Sequence, residues 1–405
     1  MDKGRYTGMV LKKPRKHSAG ANGGLLKAIY YSGIYFILNT LFDKKGVYIL
    51  CYHRLSNLEP GSCNDPMSVN YRNFERHMEF LKGKYEFINM DMAAELLSRE
   101  NRINRRYIAV TFDDGYRDNY LYGGDIFCKY NVKPTIYLTA GRIDQRTWLW
   151  HDRVDYMVFN SRREEAFIDA AGIKGVFTLR TDSDRRYLSE ILKESIKYAG
   201  ENRKEEVLLY LSEKLEIPMP EECGLLLDWE DINRLMETGA DMGGHTLNHP
   251  ILSRLSDMDM KNEVTACKSL IEKHIRKEVR HFAYPNGKPG DHTQETVDEL
   301  KNHYATAATA VMGVNLPGTD LYALRRIMIG NDPDVLKFRF KLLQAKISQT
   351  LEGRRKYRSR NFKFYRLFLC RNKQPPVNEM HYYEAQDVLP LLQAADTDLR
   401  FRRRE

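Results

Sequence analysis

The stretch Val110-Thr111-Phe112-Asp113-Asp114-Gly115-Tyr116 ends a run of β-branched and aromatic residues that begins at Tyr107. Such a run, Tyr107-Ile108-Ala109-Val110-Thr111-Phe112, reads as a short buried strand. The strand stops at two adjacent acids and a glycine. Carboxylates this close resist ionising together. A cation resolves the conflict, because one Asp can ligate it while the other stays free as a base. Gly115 allows a sharp turn after them. Asp-Asp-Gly is also ordinary turn chemistry, so the pair needs support from elsewhere in the chain.

That support lies at Gly243-Gly244-His245-Thr246-Leu247-Asn248-His249-Pro250. Two imidazoles four residues apart, with glycine before and proline after, read as a loop presenting metal ligands. Asp114, His245 and His249 would form an Asp-His-His facial set with open positions for water and substrate.

Taken with Phe282-Ala283-Tyr284-Pro285-Asn286-Gly287, these stretches resemble the ordered motifs of the polysaccharide deacetylase family, carbohydrate esterase family 4. Thr111 to Tyr116 is similar to the first motif and His245 to Pro250 to the second. The third has the Phe-Ala-Tyr-Pro-x-Gly form. The resemblance spans roughly residues 47–330 and leaves both tails aside. It implies an α/β fold, a distorted (β/α) barrel of seven strands. It also implies metal-assisted removal of N-acetyl groups from N-acetylhexosamine residues of a glycan or glycolipid precursor. Asp114, His245 and His249 would hold a divalent metal, zinc first, with cobalt or nickel as alternatives. Asp113 would take the proton of the attacking water. The backbone N–H of Asn286 would help hold the oxyanion, with Tyr116 and Tyr284 beside the substrate.

Two departures from the family stand out. The late Leu-x-His motif that carries the general acid in many members is absent, and His53, in Tyr52-His53-Arg54 at the end of the first strand, is the substitute. Where many members have an Arg that orients the catalytic Asp, this chain has Ala283. Arg326, in Leu324-Arg325-Arg326-Ile327, is expected to supply that charge, with Arg280 the weaker alternative.

A chain of 405 residues, 42% hydrophobic and 29% charged, can bury a full core. Its net charge of +9 is uneven. Residues 1–46 carry +7 and residues 331–405 carry +8, which leaves −6 on 47–330. The basic surface therefore belongs to the tails. It would suit peripheral contact with an anionic membrane face, while no nucleic-acid fold signature is present. The apolar run Leu25 to Phe42 is short and polar for a span, with Lys27, Ser32, Asn39 and Thr40 inside it. It reads first as an amphipathic helix. No clear signal peptide precedes the catalytic region, so a cytoplasmic or inner-face enzyme is expected. The six cysteines are scattered, without a Cys-x-x-Cys pair, and read as free or buried thiols.

Strand and helix patterns alternate from Val47 to Ile327. Asp118 is expected to cap a helix running to Tyr130, and Asp228 one ending near Gly239. Strands are expected over Tyr304–Val311 and Ala323–Ile327. Residues 144–220 break the rhythm and read as a helical insertion, with Trp148 and Trp150 either packing residues or part of a sugar-stacking wall. The domain limits follow: 1–46 a basic extension, 47–330 the catalytic domain, 331–405 a second basic extension. His77, His151, His281, His292 and His303 have no ligand spacing and read as surface or structural residues. Two rival readings keep the same site residues: hydrolysis of another non-peptide C–N bond, or sugar binding without turnover.

Overall fold

Seven short parallel strands carry the fold in the computed structural model, which describes residues 19–58, 65–98, 102–219, 224–331 and 333–359. They are β1 (Gly46–Tyr52), β2 (Arg106–Phe112), β3 (Thr135–Leu138), β4 (Asp241–Gly244), β5 (His281–Ala283), β6 (Thr306–Ala308) and β7 (Ile327–Met328). Their order in the sheet is β6-β5-β4-β3-β2-β1-β7. The longest ladder joins β1 to β2, from Gly46 opposite Arg106 to Tyr52 opposite Phe112. The chain just before β7 bridges back to β6. Thr309 N–H donates to the Leu324 carbonyl at 2.8 Å, and Leu324 N–H to that of Ala307 at 3.1 Å. The two ends of the order are thereby brought together and the sheet curls into a distorted (β/α) barrel.

All seven residues of β1 are buried, as a parallel strand covered on both faces requires. The covering helices follow the apolar spacing of the sequence. Helix Tyr71–Leu81 buries Phe74, Met78 and Leu81, and Asn70 caps it by accepting from Arg72 N–H at 2.8 Å. Asp228 caps Trp229–Glu237 in the same way, accepting from Asp231 N–H at 2.8 Å.

Asp118 departs from its expected role. It lies in the first turn of helix Asp118–Tyr130, behind Arg117 at the cap, and its carboxylate accepts from Leu55 N–H and Arg54 instead. The nearby cation and the orphan N–H of a crossing strand outcompete the helix terminus. The late strands are also shorter than the apolar runs that predict them. β6 covers only Thr306–Ala308 and β7 only Ile327–Met328. Their neighbours bend away to make the barrel-closing bridges.

The insertion has its own apolar core. Helices Trp150–Asn160, Asp182–Ile196 and Glu201–Leu215 pack with the hairpin Glu165–Ala170/Ile173–Thr178 around Val154, Ile168, Leu188, Leu192 and Leu208. The hairpin turns at Ala171-Gly172, both with positive φ, as a two-residue connection demands. Trp150 is buried in this core, so it packs rather than lining a sugar cleft.

Residues 19–41 belong to a separate unit. The expected single helix is two, Ala19–Tyr31 and Ile34–Leu41, broken at Gly33 with φ +82°. Among the described residues no helix is long and apolar enough to cross a membrane. Helix Val335–Ser359 opens the part of the chain read as the second basic extension. The rest of the expected basic C-terminal extension lies outside the described residues.

Candidate metal centre and active site

The three motifs meet at the C-terminal ends of the strands, where a (β/α) barrel gathers its reactive groups. β2 delivers Asp113 and Asp114, β4 delivers His245 and the loop to His249, and β5 leads into the turn at Asn286. Gly115, at φ +81°, turns the chain after the two acids. Gly243 lets β4 approach its neighbours: a Cβ there would stand 2.4 Å from the Tyr137 ring.

Asp114 Oδ1 lies 3.4 Å from His245 Nε2 and 3.3 Å from His249 Nε2. The three ligand atoms fall within 4.8 Å of one another. Asp114 Oδ1 is buried and has no hydrogen-bond partner among the described residues. His245 Nδ1–H donates to the Ala283 carbonyl at 2.7 Å, which leaves the Nε2 lone pair facing Asp114. This is how a ligating His is oriented from behind. An orphaned carboxylate oxygen facing two imidazole nitrogens fits a divalent cation. The donor set, one carboxylate oxygen and two imidazoles, suits zinc and its first-row neighbours.

The electrostatics agree. Burial works against the Asp114 carboxylate, but His249 and His245 hold its pKa far below the ordinary value. Burial pushes His249 well down, so it is neutral, as a ligand must be. Burial also opposes charge on His245, but Asp114 reverses the sign and raises it. The site thus draws positive charge to one point.

The loop between the two imidazoles is held under strain. Thr246 and His249 have φ +67° and +61°, and Asp114 and Asn286 have φ +74° and +60°. Four non-glycine residues in left-handed conformations, one or two in each motif, mark a functional site. Glu263 holds the loop by accepting from Leu247 N–H, Asn248 N–H and Asn248 Nδ2–H at 2.8–3.0 Å. Sequence reasoning did not single out Glu263. It lies on helix Asp257–Ile275, and nothing in its helical spacing points at the loop.

Asp113 is kept apart from the ligand set by Arg326. The guanidinium donates to both oxygens, Nη1 to Oδ1 at 2.6 Å and Nη2 to Oδ2 at 2.8 Å, and Nε donates to the Thr309 carbonyl at 2.8 Å. Burial alone would raise the carboxyl pKa, but Arg326 brings it below the ordinary value, so Asp113 is ionised at neutral pH. Arg280 lies at the other end of the barrel, paired with Asp91. Two more groups flank Asp113 from β1. Cys51 Sγ donates to Oδ2 at 3.4 Å, and His53 Nε2 stands 4.0 Å from the same oxygen. Cys51 was missed as a contact, although period-two alternation puts it on the same face as His53. Burial lowers the pKa of His53 despite the two carboxylates nearby.

Tyr116 and Tyr284 are both buried with their hydroxyls engaged. Tyr116 donates to Asp152 at 3.0 Å and meets His151 Nε2 at 3.0 Å; Tyr284 donates to the Tyr322 carbonyl at 3.0 Å. The Asn286 side chain donates to Asp291, and among the described residues its backbone N–H has no partner. His77, His281 and His303 are structural, as expected, bonded to Tyr52, Thr306 and Glu299. His151 is bonded to Tyr116, and its ring centroid lies 5.7 Å from that of His249.

Comparison with known proteins defines the class. The sequence profile of the polysaccharide deacetylases matches residues 100–307, half of the chain, and the chain belongs to that family. The Bacillus subtilis (strain 168) protein YxkH, whose name assigns it to the same family, is 28% identical over 110 residues, 27% of this chain and 37% of that one. The chain thus spans little more than a third of the length of this relative. Among solved structures, the Streptococcus pyogenes deacetylase PplD in complex with acetate is similar in fold, with a TM-score of 0.50 and 18% identity over 74% of this chain and 98% of that one. IcaB from Ammonifex degensii matches with a TM-score of 0.49 and 16% identity over 75% and 98%.

Proposed function

We propose that this chain is a metal-dependent N-deacetylase acting on N-acetylhexosamine residues of a glycan or glycolipid precursor and releasing acetate. The observation that carries the reading is the separation of two adjacent carboxylates. Asp114 presents a bare oxygen to two imidazole nitrogens, while Asp113, clamped by Arg326, stays out of the ligand set as a free base. Pure sugar binding has no need of that division.

Asp114, His245 and His249 would hold the metal, which when bound supplies Lewis-acid polarisation of the acetyl carbonyl and acidifies water. Asp113 takes the proton of the attacking water on Oδ2. Arg326 holds that carboxylate in one orientation, so no reorganisation is needed as the proton moves. His53, 4.0 Å from the same oxygen, carries a proton to the departing nitrogen. The carbonyl C–O bond forms, the C–N bond breaks, and acetate and a free amine result. The Asn286 N–H is free to donate to the developing oxyanion.

The substrate's place in the cell is part of the same reading: a precursor met on the cytoplasmic side during polysaccharide synthesis. The decisive experiment measures metal by elemental analysis and acetate release from N-acetylglucosamine oligomers on the same preparation. About one metal per chain with acetate release is the expected result. Metal without acetate would move the reading to another C–N bond, and no metal even after zinc addition would sink it.

A further inference from the structure

The insertion contributes a residue to the site. His151 is the second residue of helix Trp150–Asn160, outside the barrel, yet its ring lies beside that of His249. A fixed polar network holds it there. Tyr116, from the first motif, donates its single hydroxyl proton to Asp152, at 3.0 and 3.2 Å from the two carboxylate oxygens. The phenol oxygen can then only accept from His151 Nε2, 3.0 Å away. Nε2 therefore carries the ring proton, and neutral His151 presents Nδ1 as an acceptor. Arg54 braces the far side, with its guanidinium 4.8 Å from the Tyr116 ring centroid and its Nε bonded to Asp118.

Nδ1 has no hydrogen-bond partner among the described residues, and it is not one of the buried polar atoms without a partner. It therefore sits on the open edge of a side chain that is 14% accessible. His53, 4.0 Å from Asp113, is similarly accessible at 13%. Two non-ligand imidazoles thus border the site, one 4.0 Å from Asp113 and one with its ring centroid 5.7 Å from that of His249. Their chemistry differs: Nδ1 of His151 has no proton to give and can only receive one.

We infer that His151 is a specificity-determining residue, whose Nδ1 accepts a hydrogen bond from a hydroxyl of the sugar that bears the acetamido group. The inference rests on the proposed deacetylase reading. A hydroxyl is the donor that an N-acetylhexosamine offers in greatest number, and the contact exists before reaction as well as during it. It therefore strengthens binding rather than the chemical step. The role of the insertion follows: its hydrophobic core anchors the helix whose first turn carries His151 and Asp152.

The test compares His151→Ala, His151→Asn and His151→Gln with wild type, all metal-loaded, on N-acetylglucosamine oligomers. Asn places an amide oxygen where Nδ1 stands, whereas Gln reaches the Nε2 position. His151→Ala is expected to raise KM about 10-fold with kcat within about 2-fold, as the loss of one ground-state hydrogen bond requires. Asn should restore most of the affinity and Gln should not, with metal content equal in all four proteins. Unchanged KM in His151→Ala would overturn the inference and leave the deacetylase reading standing. So would a fall in kcat alone, which would put His151 in the chemical step. Absence of acetate release from wild type would fail the deacetylase reading, and this inference with it.

Discussion

Two Asp-His clusters occupy opposite ends of the same barrel, and residue types alone do not tell them apart. At the C-terminal end Asp114, His245 and His249 bring their ligand atoms within 4.8 Å, and at the N-terminal end Asp91, Asp241 and His281 do the same. The difference is in what else is bonded. In the second cluster Arg280 and Lys277 neutralise Asp91 and Asp241, and His281 spends Nδ1 on Thr306 and Nε2 on Asp91. In the first cluster, among the described residues, no Lys or Arg pairs with Asp114 and one carboxylate oxygen is buried without a partner, and the backbone is strained at Asp114, Thr246 and His249. Unspent lone pairs held under strain make a site, whereas spent ones make a structural clasp.

The largest effect should come from exchanging one imidazole at each end. His245→Ala is expected to lose both bound metal and all measurable acetate release. His281→Ala should keep one metal per chain and its activity while losing roughly 1–3 kcal/mol of stability, the usual cost of breaking buried hydrogen bonds. A second equivalent of zinc lost with His281 would erase the distinction between the two ends.

Arg326 tests whether the base is as separate from the metal as its clamp implies. Arg326→Ala should lower kcat about 100- to 1000-fold, comparable to removing a preorganised donor at a reacting centre, with metal content retained. It should also destabilise by about 3–5 kcal/mol, because the Asp113 charge is left buried and unpaired. If that variant does not fold, Arg326→Lys keeps the charge but loses the two-point grip, and an intermediate rate is expected. Loss of metal together with rate would show that Asp113 and Asp114 act as one unit.

Much of this arrangement was legible in the sequence, because adjacent strands bring short motifs to one end of a parallel barrel. The acids after β2, the imidazoles after β4 and the barrel itself could be read from strand patterns and resemblance. Arg326 could be guessed because Ala283 left a charge missing. What was not legible depends on tertiary reach. His151 lies within the insertion, which has its own core, and no periodicity links it to His249. Asp118 reads as a cap until Arg54 and the Leu55 N–H are seen beside it. The strand lengths near Thr306 and Ile327 are set by barrel closure, which residue propensity does not record.

Glu263 sharpens the comparison at the level of support. It accepts three donors from the loop that carries His249. Removing such outer partners typically weakens metal binding 10- to 100-fold. Glu263→Ala should do so in a competition assay with a chelator, and Glu263→Gln, which keeps an acceptor, should recover most of the affinity. Equal affinity in both variants and wild type would mean that the strained loop holds itself.

The smallest effect concerns an imidazole that is fully spent. His77 is buried, donates from Nε2 to the Pro333 carbonyl at 2.7 Å, accepts from Tyr52 on Nδ1 at 3.1 Å, and stacks on Phe338 at 4.1 Å. It therefore ties β1 and helix Tyr71–Leu81 to the helix that begins at Val335. Burial pushes its pKa down to about 3, against 6.5 for a free imidazole. Between those values the unfolded chain takes up a proton that the folded chain refuses. His77 thus costs no stability above pH 6.5 and removes it as the pH falls from there towards 3, by at most roughly 1.4 kcal/mol per pH unit. His77→Gln should destabilise the protein at pH 7.5, because two buried hydrogen bonds are disturbed. The gap to wild type should narrow at pH 4.5, because Gln does not titrate. Urea midpoints at the two pH values measure this directly. A gap that is the same at both would mean that the folded protein admits a proton at His77, and that a spent imidazole is less closed to protons than its bonds imply.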